Sequence, residues 1–189
     1  GYVTFGCFNN LTKINEHVIS LWIKLLADIP SSCLLLKAKQ LNSLSIQSKI
    51  IKQFTTAGIN PERITCEGSE PREKYFAAYQ RIDIALDPFP FTGGTTTMES
   101  LWMGVPVLTL QGDSLVGRQG VGILMNADLS SWIATDKNEY LTKAIDFSSD
   151  INRLSLIRSG LRDQILMSPL FDEKQFSKDF EQALRAIWQ

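Results

Sequence analysis

The sequence lacks the features that mark several large classes of protein. Its 189 residues include only three cysteines (Cys7, Cys33 and Cys66) and no Cys-x-x-Cys spacing, which argues against a disulfide framework and a cysteine-rich zinc site. A single histidine, His17, excludes a metal site built from several imidazoles. No apolar run approaches the roughly 20 residues that span a bilayer. Lysine and arginine number 19 against 20 acidic residues, so the net charge of −1 provides no basic field for nucleic acid or an anionic membrane.

What is present is an ordinary globular composition. Hydrophobic residues make up 44% of the chain and charged residues 21%, which is typical of a folded protein with a sizeable core. We find no internal repeat, low-complexity segment or linker, and therefore predict a single domain over residues 1–189. The chain opens on a strand-like segment with no signal peptide before it, which predicts a fragment of a longer protein. Unpaired cysteines are typical of a reducing, cytoplasmic compartment.

Short apolar runs alternate with segments of helical periodicity. Strands are predicted at Tyr2–Phe8, Cys33–Lys37, Arg63–Cys66, Ile82–Asp87 and Pro106–Leu110, with a short one at Trp132-Ile133. Helices are predicted after Asn15, around Ile46–Phe54, from Pro71, after Gly94, around Val116–Asn126, and from Asp136, Asp150 and Asp172. Because continuous apolar strands are typical of parallel sheets covered on both faces, the pattern predicts an α/β, Rossmann-like doubly wound parallel sheet.

Spacing also predicts which large side chains form the core. The three tryptophans at helical positions, Trp22, Trp102 and Trp188, are expected on core-facing sides, together with Met103. The three cysteines are expected to be core residues of strands. In the last helix, a single face collects the apolar residues Phe176, Phe180, Leu184, Ile187 and Trp188.

The loop from Asp87 to Thr97 is the most informative candidate for binding. In open parallel sheets, ligands lie outside the carboxyl ends of the strands. Here a strand leads through Gly93-Gly94 into a helix that begins Thr95-Thr96-Thr97. The glycines allow close approach of a ligand, and the free amides at the positive end of the helix dipole suit an anion such as phosphate. A plain strand-turn-helix with threonine caps fits the same residues, so spacing alone leaves both interpretations open.

Three charged residues lie where they could act on the same ligand. Lys13 follows the first strand and could neutralise phosphate, although a solvated loop lysine is the simpler interpretation. Glu99, one turn into the threonine helix, could accept from ribose hydroxyls or only stabilise the first turn. Arg118, in the glycine-rich segment 117–122, is a further candidate for phosphate.

Three segments together resemble the C-terminal catalytic lobe of family 41 glycosyltransferases, which are the protein O-GlcNAc transferases and the SPINDLY proteins. The segments are residues 5–14 (FGCFNNLTKI), residues 86–107 (LDPFPFTGGTTTMESLWMGVPV), and the stretch from Asp163 through Ser168-Pro169-Leu170-Phe171 to Trp188. The resemblance extends over essentially the whole chain and is strongest with the SPINDLY-like and bacterial branch. It implies a GT-B enzyme, in which two Rossmann-like lobes enclose the active site, with this chain as the C-terminal, donor-binding lobe.

The resemblance also implies roles for individual residues. Lys13 is expected at the donor diphosphate, where it and the amino end of the threonine helix stabilise the leaving nucleotide diphosphate without a metal. Thr95 and Thr96 are expected at the diphosphate, with Gly94 and Thr97 beside them, and Asn10 is expected near the diphosphate and sugar. Glu99 is expected at the ribose, and Arg72 beside the base.

The implied activity is transfer of a sugar to Ser or Thr of proteins, with no cofactor. Three departures leave the donor open between UDP-GlcNAc and GDP-fucose. Gly94 stands where the O-GlcNAc branch has histidine, Tyr75 stands where both branches often have histidine, and Glu99 replaces the aspartate of the O-GlcNAc branch. Expected partners are the nucleotide sugar, an acceptor protein, and an N-terminal catalytic lobe and tetratricopeptide repeats outside this chain; nucleic acid and membrane are not expected. The alternative is a non-catalytic nucleotide-binding or scaffold domain of the same fold.

Overall fold

The central element of the computed structural model, which describes residues 1–188, is a six-stranded parallel sheet. Its strands are β1 (Thr4–Cys7), β2 (Cys33–Lys37), β3 (Ile64–Glu67), β4 (Ile84–Leu86), β5 (Val107–Leu110) and β6 (Ile133–Ala134). They are arranged in the order β3-β2-β1-β4-β5-β6, and every neighbouring pair is parallel. The predicted doubly wound α/β sheet is therefore confirmed. Gln189, the last residue of the predicted domain, lies outside the described residues.

Helices connect the strands and follow the sheet. They are α1 (Glu16–Asp28), α2 (Leu44–Thr56), α3 (Arg72–Ala77), α4 (Thr95–Trp102), α5 (Gln119–Asn126), α6 (Lys137–Ser149), α7 (Ile151–Leu166) and α8 (Glu173–Trp188). The predicted N-cap Asn15 is confirmed, since its side chain accepts from amides of α1. Asp136 and Asp150, predicted as helix starts, cap α6 and α7 in the same way. Each cap satisfies amides that have no partner within the helix.

Core side chains cover both faces of the sheet. Leu34 and Leu36 of β2 pack into the main core, whereas Leu35 between them packs into a second core with Phe8 and Tyr79. This alternation explains why the strands read as nearly continuous apolar runs.

Among the core positions predicted on helices, Trp188 is wrong, and Trp102 and Met103 are only partly right. Trp188 is 92% exposed, and no side chain of α8 is buried. The prediction failed because a helical repeat of apolar residues shows that a helix has an apolar face but not what covers that face. Trp102 is half-buried: its ring packs against that of Phe171 in a tilted arrangement, with the ring centres 5.5 Å apart, and the guanidinium of Arg162 lies 4.2 Å from its centre. Met103 is half-buried as well.

Of the three cysteines, Cys7 is buried, and Cys33 and Cys66 are half-buried. Cys33 is the first residue of β2, and Cys66 lies on β3, the strand at one edge of the sheet. Trp22 meets the expectation, since it is fully buried and its Nε1 donates to the hydroxyl of Tyr140 at 3.4 Å. Within residues 1–188, no helix combines the length and the apolar character needed to cross a bilayer.

Candidate functional site

The order of the strands reverses between β1 and β4, where the loops that follow them diverge. Such a switch point is where open α/β sheets bind ligands. A cleft of about 840 Å³ lies there, between the loop after β1, the amino end of α4 and the start of α5. Its lining includes Asn10, Lys13, Gly94, Thr95, Thr96 and Arg118. Six residues that sequence reasoning selected from three separate segments therefore share one cavity.

The amino end of α4 presents free amides to this cleft. The first bond of the helix runs from the amide of Met98 to the carbonyl of Gly94, so the amides of Thr95, Thr96 and Thr97 have no acceptor within the helix. With the helix dipole they favour an anion. Of the two glycines, Gly93 is the one that close packing requires, because a Cβ there would lie 2.5 Å from the hydroxyl of Thr97.

Lys13 is held at the mouth of the same cleft. Its Nζ donates to the carbonyl of Thr92 at 2.8 Å and to Oδ1 of Asn9 at 3.2 Å, and it lies 4.0 Å from the centre of the Phe91 ring. Because an ammonium group has three donors, one N–H is left for a ligand. Partial burial lowers the pKa of Lys13, and the negative charge of Asp87 opposes this effect.

A buried polar network behind Lys13 was missed in the sequence. Oδ1 of Asn9 also accepts from the hydroxyl of Thr96 at 3.0 Å. Asp87 accepts from the amide of Gly93 at 2.6 Å and from the hydroxyl of Thr109 at 2.9 Å. Burial raises the pKa of Asp87 to about 6, although these hydrogen bonds and the charge of Lys13 act to lower it. A carboxylate directly after an apolar strand and before a glycine pair was the signal available in the sequence.

Glu99 contacts a residue that lines a second, smaller cavity, and it does not line the main cleft. Its Oε2 accepts from the hydroxyl of Tyr75 at 2.8 Å. Tyr75 lines a neighbouring cavity of about 250 Å³, which shares Asn10 with the main cleft. Glu99 itself lines neither cavity.

Two predicted residues point elsewhere. Arg72 is exposed on α3, with its guanidinium 5.0 Å from the centre of the Phe76 ring, and it lines neither cavity. The hydroxyl of Thr97 is buried away from the cleft, and it has no hydrogen-bond partner among the described residues. Only the amide of Thr97 is placed at the helix start. Among residues 1–188, no group of three or more His, Cys, Asp or Glu side chains is placed to hold a metal ion.

Comparison with known proteins decides the family. A model of glycosyl transferase family 41 matches residues 1–180. The chain belongs to this family. It is 36% identical over 189 residues to the probable UDP-N-acetylglucosamine–peptide N-acetylglucosaminyltransferase SPINDLY of Petunia hybrida, covering 100% of this chain and 20% of that protein. It is 30% identical over 186 residues to the UDP-N-acetylglucosamine–peptide N-acetylglucosaminyltransferase of Caenorhabditis elegans, covering 98% of this chain and 16% of that protein.

A solved structure of a family member agrees with the fold. The chain matches an O-GlcNAc transferase mutant from Thermobaculum terrenum with a TM-score of 0.93 and 34% identity, covering 99% of this chain and 36% of that one. The resemblance to the O-GlcNAc transferases and SPINDLY proteins is thus confirmed, as is the architecture of one lobe of a GT-B glycosyltransferase. The family 41 chain spans about a fifth of the SPINDLY relative's length.

Proposed function

We propose that this family 41 chain is the donor-binding lobe of a protein O-glycosyltransferase, which transfers a sugar from UDP-GlcNAc or GDP-fucose to Ser or Thr of proteins. One observation carries the proposal: the ammonium of Lys13 and the free amides of α4 meet in one cleft at the switch point of the sheet. The names of the relatives, which are UDP-N-acetylglucosamine–peptide transferases, favour UDP-GlcNAc.

The geometry supports a role in stabilising the leaving group. When the bond between the sugar and the diphosphate breaks, negative charge grows on the nucleotide diphosphate. In the proposal, the remaining N–H of Lys13 and the amides of Thr95 and Thr96 receive that charge without reorganising, which is how preorganised donors lower a barrier. No metal takes part in this step as proposed. In the proposal, Asn10 lies near the diphosphate and sugar, Glu99 binds the ribose beside Tyr75, and Arg72, which lines neither cavity, lies beside the base from outside them.

The proposal assigns the remaining parts of the enzyme to the rest of the protein. An N-terminal lobe would complete the active site and hold the acceptor protein, and tetratricopeptide repeats would precede it. A reducing, cytoplasmic compartment belongs to the same proposal, and the three free thiols support it.

The test is calorimetric titration of the chain with UDP, GDP and ADP, in wild type, Lys13→Ala and Lys24→Ala. Lys24 is an exposed lysine of α1 that lines neither cavity, so it controls for loss of charge alone. We expect UDP or GDP to bind. The affinity should fall about 10- to 150-fold in Lys13→Ala, which corresponds to the roughly 1.5–3 kcal/mol of a charged hydrogen bond, and should stay unchanged in Lys24→Ala.

Failure would take a clear form. If no nucleoside diphosphate binds, or if binding is indifferent to Lys13, the proposal is wrong and the scaffold alternative remains.

A further inference from the structure

The carboxylate of Asp87 is enclosed behind the cleft at the end of β4. Only 1% of the residue is exposed, and it does not line the cleft. Its Oδ1 accepts from the amide of Gly93 in the loop before α4, and its Oδ2 accepts from the hydroxyl of Thr109 on β5. A Cβ at Gly93 would lie 2.9 Å from Oδ1, and a Cβ at Gly120 would lie 2.7 Å from Oδ2. The charge is therefore directed at the framework of the site and away from a ligand.

Asn9 connects this carboxylate to Lys13. Because an ammonium group can only donate, the atom of Asn9 that faces Lys13 at 3.2 Å is Oδ1, which also accepts from Thr96. The amide nitrogen then faces Asp87, at a long distance of 3.5 Å from Oδ1. An ionised carboxylate attracts this NH₂ group and would repel the oxygen. If the amide turned over, its NH₂ group would face the ammonium of Lys13 and the contact would be lost.

A buried charge without a cation in contact is costly, so its presence needs a reason. A neutral asparagine could hold the Gly93 amide by itself. What the ionised form adds is a hold on the NH₂ end of Asn9, opposite to the hold of Lys13 and Thr96 on its oxygen, and a negative potential that keeps Lys13 charged. Buried carboxylates of this kind concentrate at functional sites.

We propose that Asp87 is a positioning residue for donor binding, which acts through Asn9 and Gly93 to hold Lys13 and the start of α4 in the arrangement that receives the diphosphate. This inference rests on the proposed function and adds a pH dependence to it. Protonation of Asp87 weakens the hold on the NH₂ end of Asn9 and removes the negative charge behind Lys13, so the affinity for the donor falls as the pH falls.

Within this network, Asp87 is the group whose protonation we expect to change between pH 5 and pH 7. Burial raises its pKa to about 6. The titratable groups that face it are Cys7 on β1, Lys13 in the loop after β1, and Tyr140 on α6. Burial raises the pKa of Cys7 to about 12 and that of Tyr140 well above its ordinary range, so both stay neutral below pH 7. Lys13 is the cation of the network.

The experiment is titration of the chain with UDP-GlcNAc, and in parallel with GDP-fucose, between pH 5 and pH 8. Sugar nucleotides are the right probes because both phosphates are esterified and keep a constant charge in this range, whereas a terminal phosphate titrates near pH 6. Wild type should bind about tenfold more weakly at pH 5 than at pH 7, and Asp87→Asn should be about tenfold weaker at pH 7 and independent of pH.

Two further variants separate positioning from a structural role. Asp83→Asn changes the matched aspartate at the other end of β4, which pairs with Arg158 at 2.6 Å, and it should keep the wild-type affinity and pH profile. Thr109→Val removes a hydrogen bond that lowers the pKa of Asp87, so the midpoint of the pH profile should move to higher pH. A His17→Gln variant, measured alongside, should keep the profile, because His17 is exposed and lines neither cavity.

Thermal unfolding of each variant shows whether it is folded before its affinity is compared. The inference is overturned if wild type binds a sugar nucleotide and Asp87→Asn binds it with the same affinity and pH profile. It is also overturned if Thr109→Val leaves the midpoint in place. If wild type binds neither sugar nucleotide, the proposed function fails and this inference fails with it.

Discussion

Lys13 and Asp87 are a cation and an anion that act on the same site without forming an ion pair, because Asn9 lies between them. A direct pair would use the donors of Lys13 and cancel its charge. With the amide in between, the lysine keeps one N–H for a ligand while the carboxylate still favours its charged form. At the scale of single residues, the site depends on this separation.

Glu99 gives a test of the proposed ribose contact. We expect wild type to bind UDP about tenfold more tightly than analogues that lack the 2′- or the 3′-hydroxyl, because a ribose hydroxyl would donate to a carboxylate. Glu99→Gln should lose most of that difference, and Tyr75→Phe, which removes the hydroxyl that holds Glu99, should lose part of it. Glu73→Gln, at an exposed glutamate of α3, is the control. Equal discrimination in wild type and Glu99→Gln would show that Glu99 does not contact the ribose.

At the scale of elements, the loops at the carboxyl ends of β1 and β4 carry the site, and the helices after them are held by caps and packing. α4 presents its amino end to the cleft while its other end packs against the segment from Pro169 to Phe171 through Trp102. The position of the amides therefore depends on packing at the far end of the same short helix.

The contribution of Trp102 to stability can be measured by comparison with Trp132, a tryptophan that is almost fully buried elsewhere in the fold. Trp132 is 2% exposed and stacks on Phe147 at 3.8 Å, so Trp132→Ala should lower the free energy of unfolding by about 3–5 kcal/mol. Trp102 is half-buried, so Trp102→Ala should cost about 1–2 kcal/mol. Urea denaturation of both variants against wild type measures the difference. Equal losses would mean that the ring of Trp102 is fully enclosed.

At the scale of the whole molecule, the sheet brings distant segments together. The hydrogen bond from Lys13 to Thr92 joins residues 79 apart in the sequence, and the one from Asn9 to Asp87 joins residues 78 apart. Both exist only because β1 and β4 are neighbours. Such a site forms with the sheet and not before it.

The free energy of unfolding should depend on pH in a way that reflects the raised pKa of Asp87. Its pKa is raised from the ordinary 3.8 to about 6, so between these values the folded state holds a proton that the unfolded state has lost. The contribution of Asp87 to stability therefore falls as the pH rises from about 4 to about 6. The unfolding free energy of Asp87→Asn minus that of wild type should therefore rise by up to about 3 kcal/mol as the pH is raised from 4 to 7.

Urea denaturation at several pH values in this range measures that difference. Glu67, whose pKa is lowered by Arg81 and Lys37 against the effect of burial, changes stability in the opposite direction, but it does so equally in both proteins and cancels in the comparison. A difference that stays constant with pH would show that Asp87 titrates near its ordinary value.

Sugar transfer should need more than this chain. Under the proposed function, the active site lies between this lobe and an N-terminal lobe outside the chain, so we expect the chain to bind the donor without transferring sugar to a protein. Labelled UDP-GlcNAc and GDP-fucose, incubated with the chain and an acceptor protein, measure transfer directly. A family 41 O-GlcNAc transferase that contains both lobes is the positive control under the same conditions, and turnover by the 189-residue chain at a comparable rate would contradict the expectation.

Local chemistry was enough to predict much of this molecule. The apolar runs marked the strands, and Asn15, Asp136 and Asp150 marked helix starts, because a cap acts on amides only two or three residues away. The placement of Lys13 and Thr95 in one cleft could also be predicted, since parallel strands bring the loops after them to the same edge of the sheet.

The tertiary structure decided what depends on contacts across the sheet. Its place between an apolar strand and a glycine pair marks Asp87 as a candidate, but nothing near it in the sequence shows that Thr109, Gly120 and Asn9 surround it. Its raised pKa therefore could not be predicted from its neighbours along the chain. The apolar face of α8 is the converse case: its periodicity is clear, yet a repeat within one helix carries no information about a covering surface, and the face is exposed. Periodicity and caps act between neighbours along the chain, whereas burial is a property of the assembled fold.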